Sequence, residues 1–224
     1  MSLHAKLDAF EADFEAGKPP YSVPRPVIET MHRATAELIA SGAAQRALKA
    51  GDKVPSFVLK DANGRTVSSS ELLSQGLLVV SFYRGVWCPY CNMELQALQE
   101  ALPAFRELGA QLVAISPQDA VNSRKALRAN RLDFPILSDP GNETAAAFGL
   151  RFALPDYLVE LYKSLKNDLP AFNGDTSWTL PMPDRFVIGR DGISRYAEVT
   201  ADYTRRPEPS GLLPALRGRL ARAA

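Results

Sequence analysis

The sequence is poor in cysteine, histidine and net charge. Its 224 residues include two cysteines and two histidines, and 26 basic and 25 acidic residues leave a formal net charge of +1. A nearly neutral chain gives no reason to expect nucleic acid or an acidic membrane surface as a partner. Two closely spaced cysteines do not form the framework of a secreted disulfide-rich protein. The amino terminus lacks a basic-then-apolar signal pattern, so we expect a cytoplasmic protein.

Long apolar runs and cofactor motifs are missing as well. No apolar stretch approaches the length needed to cross a bilayer, which predicts that the protein has no membrane partner. The sequence has neither a nucleotide-binding fingerprint nor a flavin or haem signature, so we expect no cofactor. A zinc site needs about four ligands, and His4 and His32 both lie far upstream of the cysteines. We therefore expect no bound metal.

Both cysteines lie in one short window, where Cys88 and Cys91 form a Cys-x-x-Cys pair. A hydrophobic strand is predicted over 77–83, and a helical pattern begins at Pro89, a residue that suits the first helical position. The amino terminus of a helix carries unpaired N–H groups and partial positive charge, which stabilise the reactive thiolate form of cysteine. The pair therefore indicates thiol redox chemistry rather than two buried structural thiols.

Hydrophobic periodicity separates a helical extension from an α/β region. Apolar residues at helical spacing predict one helix ending near Gly17 and a second over about 27–41, with a proline-rich linker between them. Further along the chain, strands alternate with helical patterns, which implies β-α-β units around a central sheet. The predicted division is an N-terminal helical extension over 1–48, a main domain over 49–205 with an insertion at about 151–180, and a C-terminal helix over 206–224.

Turn signals define the order of the remaining elements. An Asp-Ala-Asn-Gly turn at 61–64 predicts a first hairpin, and an Arg-Asp-Gly turn at 190–192 predicts a last one. The insertion is a long connection, and such connections are often lids or interfaces. With the helical extension, it is a candidate surface for a homodimer. Other predicted elements are strands over 111–116 and 135–138, helices over 119–130, 142–148 and 156–165, and a final helix over 211–224.

Several motifs occur in an order that one known family shares. They are Gly51-Asp52-Lys53-Val54-Pro55-Ser56-Phe57, then Phe82-Tyr83-x-Gly85 followed by Cys91 and Glu94-Leu95, then Leu137-Ser138-Asp139-Pro140, and Arg185 to Gly192. On these residues, the segment 51–200 resembles the peroxiredoxin family, also called the alkyl hydroperoxide reductase C/thiol-specific antioxidant family. The resemblance implies a thioredoxin-like α/β fold, in which helices flank a central mixed sheet.

The active-site pattern of that family is Pro-x-x-x-Thr-x-x-Cys, and this chain departs from it. Cys91 falls on the peroxidatic cysteine, while Cys88 replaces the threonine and Arg84 replaces the proline. The family's arginine falls on Pro183, and Arg185 is the nearest substitute in sequence. Pro183 also resembles the cis-proline that faces the Cys-x-x-Cys pair in thioredoxin-like disulfide enzymes. The site thus combines a peroxiredoxin frame with two positions altered toward thioredoxin.

Two enzymatic functions are compatible with this pattern. In a thiol-dependent peroxidase, Cys91 attacks hydrogen peroxide or an organic hydroperoxide, Cys88 closes a disulfide, and a thioredoxin-like protein or small thiol reduces it. In a thiol-disulfide oxidoreductase, Cys88 is instead the nucleophile. A redox-sensing or interaction protein that has kept the fold is a third reading. The breadth of the resemblance favours the peroxidase.

Four further residues are predicted to bind substrate. Trp87 is expected to cap the site, and Pro183 would line a peptide groove in the oxidoreductase. Arg84 or Arg185 would polarise a peroxide and stabilise the charge that develops on it.

Overall fold

A seven-stranded mixed sheet with helices on both faces forms the centre of the computed structural model, which describes residues 1–218. The predicted α/β fold class is therefore confirmed. The strands are β1 (Val58–Asp61), β2 (Thr66–Ser68), β3 (Leu77–Phe82), β4 (Ala110–Ser116), β5 (Ile136–Ser138), β6 (Arg151–Ala153), β7 (Thr179–Pro181), β8 (Asp184–Ile188) and β9 (Ser194–Val199). The helices are α1 (Leu3–Glu15), α2 (Arg25–Ala40), α3 (Ser69–Gln75), α4 (Pro89–Glu107), α5 (Ala120–Asn130), α6 (Glu143–Ala147), α7 (Asp156–Ser164), α8 (Leu169–Asn173) and α9 (Leu213–Leu216).

The sheet has the strand order β2-β1-β5-β4-β3-β8-β9. Strands β3, β4 and β5 are parallel, whereas both edges are antiparallel hairpins. Along β3, successive side chains point to opposite faces, so Val79 joins the core beneath α4 while Leu78 and Val80 join the core on the other face. Because alternation continues past the strand, Tyr83 lies on the same face as the two cysteines.

The N-terminal extension packs on the chain's own domain. Leu3 and Leu7 of α1 are buried in the core that also holds α4. Helix α2 begins at Arg25, two residues before the predicted start, with Pro26 inside its first turn. The sequence prediction assigned that proline to the linker, but the first turn needs no intrahelical N–H, so proline fits there.

The insertion begins and ends in a small sheet of its own. Strands β6 and β7 pair antiparallel, which brings Arg151 opposite Pro181 and closes the segment at its base. Between them, Leu158 and Tyr162 of α7 are buried in a separate apolar cluster that also contacts α2 and Trp87. The insertion therefore lies beside the predicted site. Its helix α8 and both of its strands are too short to give a periodic signal, and the sequence prediction missed them.

The C-terminal helix is shorter than predicted over the described residues. Gly211 lies in a 3₁₀ turn, Pro209–Leu212, and the following helix covers Leu213–Leu216. The predicted continuation over 219–224 lies outside the described residues. Helix α3 was also missed, since seven residues with one apolar pair give little periodicity. No helix within residues 1–218 is both long and apolar enough to cross a membrane.

Candidate active site

The two cysteines lie where β3 leads into α4. Cys88 is the residue that precedes the helix, Pro89 occupies the first helical turn as predicted, and Cys91 follows in the same turn. Both thiols are reduced and almost fully buried. The nineteen-residue helix directs its N-terminal partial charge at this pair, which favours a negative sulfur.

Gly85 lets the loop before the helix fold tightly. Its φ of +154° lies in a region that L side chains rarely adopt, and a Cβ at this position would lie 2.5 Å from Trp87 Nε1. Only glycine therefore allows the indole to lie across the loop. The Trp87 ring packs edge-on against Tyr162 of the insertion, with centroids 5.7 Å apart. The predicted cap over the site is thus shared between the loop and the insertion.

Charge is divided unequally between the two thiols. Burial alone would raise the pKa of Cys88, but a hydrogen bond with the Cys91 thiol and the positive charges of Arg84 and Arg206 lower that pKa to about 6. Burial and the hydrogen bond and charge of Cys88 raise the pKa of Cys91 well above its usual range. At neutral pH, the pair therefore carries one negative charge on Cys88, and the remaining proton stays on Cys91.

Glu94 holds two buried arginines behind Cys91. Its Oε2 accepts a hydrogen bond from Arg206 Nε at 2.6 Å, and its Oε1 lies 3.4 Å from Arg185 Nε. All three side chains are nearly inaccessible to solvent. Glu94 follows Cys91 by three positions on α4, so the two side chains share one helix face. Arg206 Nη2 lies 3.7 Å from the Cys91 sulfur, and the carboxylate fixes this cation beside it.

Arg84 has a different environment, made of aromatic rings. Its guanidinium carbon lies 4.1 Å from the Tyr203 ring centroid and 4.9 Å from that of Trp87. It donates a hydrogen bond to the Tyr162 hydroxyl, whereas its Nε has no partner among the described residues. Arg84 is 3% exposed and forms no ion pair with a carboxylate of the described chain. Its charge therefore acts on the neighbouring Cys88.

Tyr83 and Gln118 secure the other side of the loop. Gln118 Nε2 donates to the Tyr83 hydroxyl at 2.6 Å, and its Oε1 accepts from the backbone N–H of Val86 at 2.9 Å. Burial raises the pKa of Tyr83, with a further contribution from nearby Cys91, so this phenol stays protonated. The bonds fix the loop between β3 and α4 against the end of β4.

A cavity of about 290 Å³ opens onto Cys88 and is called the Cys88 cavity below. Arg84, Trp87, Tyr162 and Tyr203 form its inner wall together with Cys88, while Cys91 does not line it. A small molecule that enters the cavity therefore meets Cys88 first. Within the described part of the chain, no group of three His, Cys, Asp or Glu side chains is placed to hold a metal ion.

The structure brings Cys88, Cys91, Trp87 and Arg84 together but separates the other two predicted residues. Arg185 forms an ion pair with Glu94 and donates a hydrogen bond to the backbone carbonyl of Pro207, one layer behind the sulfurs. The predicted cis-proline is wrong, because among residues 1–218 only the Pro19–Pro20 bond is cis. Pro183 instead joins β7 to β8 in the trans form that most X-Pro bonds favour.

Pro183 contributes to a second cavity beyond Arg84. This cavity of about 330 Å³ lies between α2 and α7 and is called the α2–α7 cavity below. Arg84, Tyr162 and Tyr203 line it as well as the Cys88 cavity, so these side chains separate the two spaces. Pro183 therefore lines the α2–α7 cavity and not the Cys88 cavity.

Sequence reasoning missed Arg206, Glu94's role, Tyr162 and Tyr203. Arg206 lies 115 positions after Cys91 in the loop that follows the last strand, where the prediction assigned it to a C-terminal helix. The adjacent arginines Arg205 and Arg206, which follow the last predicted strand, could have suggested a cationic contribution to the site. However, nothing in the sequence shows which of the two is buried, and the structure buries Arg206.

Comparison with known proteins matches the part of the chain that contains the central sheet and the cysteine pair. The family described as AhpC/TSA matches residues 50–197. A chloroplastic peroxiredoxin Q of rice, Oryza sativa subsp. japonica, is 28% identical over 65% of this chain, and the match spans 57% of the rice protein.

Solved structures also match about three quarters of the chain. The crystal structure of peroxidoxin BcpB from Mycobacterium tuberculosis is 26% identical, covers 76% of this chain and 97% of its own, and has a TM-score of 0.60. A thiol:disulfide interchange protein DsbE from Chlorobium tepidum, at 21% identity, covers 76% of this chain and 99% of its own with a TM-score of 0.54, which shows a shared fold. Because the family match covers residues 50–197, about two thirds of the chain, this chain belongs to the AhpC/TSA family.

Proposed function

We propose that this protein is a thiol-dependent peroxidase that reduces hydrogen peroxide or organic hydroperoxides. One observation carries the proposal: in an AhpC/TSA frame, two buried thiols lie at a helix N-terminus, with Arg206 Nη2 3.7 Å from the Cys91 sulfur and Arg84 beside Cys88 in the wall of one cavity. Such a setting keeps one thiolate available at neutral pH. The two arginines also supply charge where a departing oxygen becomes negative.

The hydrogen bond between the thiols supports a role for Cys88 before disulfide formation. Cys88, as thiolate, accepts the Cys91 proton while the Cys91 sulfur attacks the nearer peroxide oxygen and the O–O bond breaks. The leaving oxygen takes that proton from Cys88 and departs as water or an alcohol. Cys91 is then a sulfenic acid, and Cys88 is again a thiolate.

Disulfide formation follows from the same contact. The Cys88 thiolate attacks the Cys91 sulfur and displaces hydroxide, which takes up a proton to form water. An external thiol reductant, a thioredoxin-like protein or a small thiol, then restores both thiols and becomes oxidised. Two electrons pass from the reductant to the peroxide in each cycle. The buried Glu94 keeps Arg206 beside Cys91 throughout.

A second candidate function, thiol-disulfide oxidoreductase, is supported by a separate observation. Cys88 carries the negative charge and lines the Cys88 cavity, whereas Cys91 does neither. In that function, Cys88 attacks a partner disulfide and Cys91 resolves the mixed disulfide. The DsbE likeness adds only a shared fold to this candidate.

Stopped-flow mixing of reduced wild type, Cys88→Ser and Cys91→Ser with hydrogen peroxide separates the two functions. For a peroxidase, wild type becomes lighter by two hydrogen atoms. Cys88→Ser, which lacks the Cys88 base, stops more slowly at a Cys91 sulfenic acid that dimedone traps, and Cys91→Ser forms no intramolecular disulfide. Tryptophan fluorescence follows the rate and intact mass identifies each product. Slow reaction of wild type with peroxide, together with a mixed disulfide trapped on Cys88 in Cys91→Ser, would establish the oxidoreductase instead.

A further inference from the structure

The α2–α7 cavity is a built space that the peroxidase cycle leaves unused. Its volume of about 330 Å³ is within the range of small-molecule sites, and its walls are mostly apolar. Helix α2 contributes Met31, Ala34 and Leu38 on one side, and Leu154 and Leu158 of the insertion lie opposite. Both walls belong to segments outside the central sheet.

Polar groups at its two ends differ in sign. Arg84, 3% exposed, lines the inner end, and its Nε has no hydrogen-bond partner among the described residues. Glu37 lies at the outer end with about half of its side chain exposed, where Arg33 and Tyr157 hold it. The hydrogen bond from Tyr157 to Glu37 links α7 to α2 across the opening.

These features select one chemical class of ligand. A buried cation without a carboxylate partner attracts an anion, and guanidinium pairs best with a planar carboxylate. At the mouth, Arg33 is already paired with Glu37 and offers no free cation, so the ligand's charged end is directed inward to Arg84. We propose that the α2–α7 cavity binds an apolar monocarboxylate, whose carboxylate pairs with Arg84 and whose hydrocarbon tail lies between α2 and α7.

Such a ligand has a consequence for the cysteine pair. Arg84 is one of the charges that lower the pKa of Cys88, and a carboxylate paired with Arg84 offsets that charge. Bound ligand therefore raises the pKa of Cys88 and reduces the fraction of thiolate at neutral pH. The site is independent of the peroxidase proposal, because it is defined by binding to the reduced protein without peroxide.

Calorimetric titration of the reduced full-length protein with decanoate, and separately with decanol, tests the site. We expect decanoate to bind about tenfold or more tightly than decanol, since only the carboxylate pairs with the guanidinium. Ala34→Phe fills the cavity and is expected to weaken decanoate binding at least about tenfold. Ala40→Phe, an exposed alanine of the same helix outside the cavity lining, is the matched control and should bind as wild type.

Two results would overturn the proposal. Equal affinity for decanoate and decanol would show that Arg84 does not pair with the carboxylate. Decanoate binding that Ala34→Phe leaves unchanged would show that the ligand binds outside the α2–α7 cavity. Circular dichroism confirms that Ala34→Phe is folded, and the comparison of the two ligands on wild type needs no variant. Ultraviolet absorbance of the thiolate supplies a second readout, because saturating decanoate should raise the Cys88 midpoint while decanol should not.

Discussion

The two cysteines differ more in their surroundings than their spacing suggests. Cys91 lies on a closed side, where Glu94 pairs with Arg206 and Arg185 and all of these side chains are buried. Cys88 lies on an open side, where Arg84 is surrounded by aromatic rings and faces two cavities. On one side, two arginines are anchored by a carboxylate, whereas on the other Arg84 has no carboxylate partner among the described residues.

This difference explains how the pair can hold one reactive charge inside a core. On the closed side, burial and the hydrogen bond and charge of Cys88 outweigh the arginine charges and raise the pKa of Cys91, so its proton stays. On the open side, no carboxylate of residues 1–218 pairs with Arg84, and the Cys88 thiolate becomes its counter-ion. The thiolate is thus stabilised by Arg84, which has no carboxylate partner within residues 1–218, together with Arg206.

The largest expected effect comes from removing the negative charge of Glu94 on the closed side. Glu94→Gln keeps the shape of the side chain but leaves two buried arginines facing a neutral amide. We expect a loss of about 3–5 kcal/mol in the free energy of unfolding, because breaking a buried ion pair leaves uncompensated charge. Urea denaturation of the reduced protein measures it.

Glu100→Gln is the control for that loss. Glu100 is on the same helix but is largely exposed and pairs with Lys6 at the surface. It should change stability by less than about 1 kcal/mol. Equal stability of Glu94→Gln and wild type would show that the three buried charges are not a structural unit.

The unequal charge of the two sulfurs is open to a pH measurement. Because Cys88 has a pKa lowered to about 6, alkylation by iodoacetamide should be at its plateau above neutral pH. Below the midpoint it should slow about tenfold per pH unit, since only the thiolate reacts. Mass spectrometry of the digested protein locates the modified cysteine.

Single variants decide which sulfur carries this charge. Cys91→Ser should keep the low midpoint, because a serine hydroxyl can still donate a hydrogen bond to the Cys88 thiolate. Cys88→Ser should lose it, since Cys91 is buried on the closed side. If Cys88→Ser kept the low midpoint and Cys91→Ser lost it, the negative charge would lie on Cys91 rather than on Cys88.

Arg206 should influence the thiolate from the closed side. Arg206→Met removes one of the two cations that lower the pKa of Cys88, so we expect the alkylation midpoint to rise by about one unit. Arg205→Met is the matched control, since Arg205 is the exposed neighbour that pairs with Asp8 at the surface. An unchanged midpoint in Arg206→Met would assign this arginine to stability alone.

The smallest expected effect is on the open side. Tyr162→Phe removes the hydroxyl that accepts a hydrogen bond from Arg84 but keeps the ring that packs on Trp87. We expect about 1 kcal/mol of destabilisation, typical of one lost hydrogen bond. Thermal unfolding compared with Tyr157→Phe, which loses a half-exposed contact on the same helix, measures the difference.

Local patterns were sufficient to predict much of the fold. The apolar run that became β3 and the Cys-x-x-Cys pair at the start of α4 are contiguous in sequence, so strand, turn and helix chemistry can be recognised directly. The same holds for both hairpins, whose turn residues require particular backbone angles. Helix α8 and the strands β6 and β7 lack such signals because each has five residues or fewer.

The sequence by itself was sufficient to predict thiol chemistry and to place both cysteines at the start of a helix. Thiols at a helix start are reactive for local reasons, and the motifs that define the family are short and ordered. The tertiary structure alone decided which charges reach the sulfurs. Arg206 comes from a loop 115 positions after Cys91, and Tyr162 comes from the insertion. Electrostatic interaction depends on distance in space, which only the packing of remote segments sets.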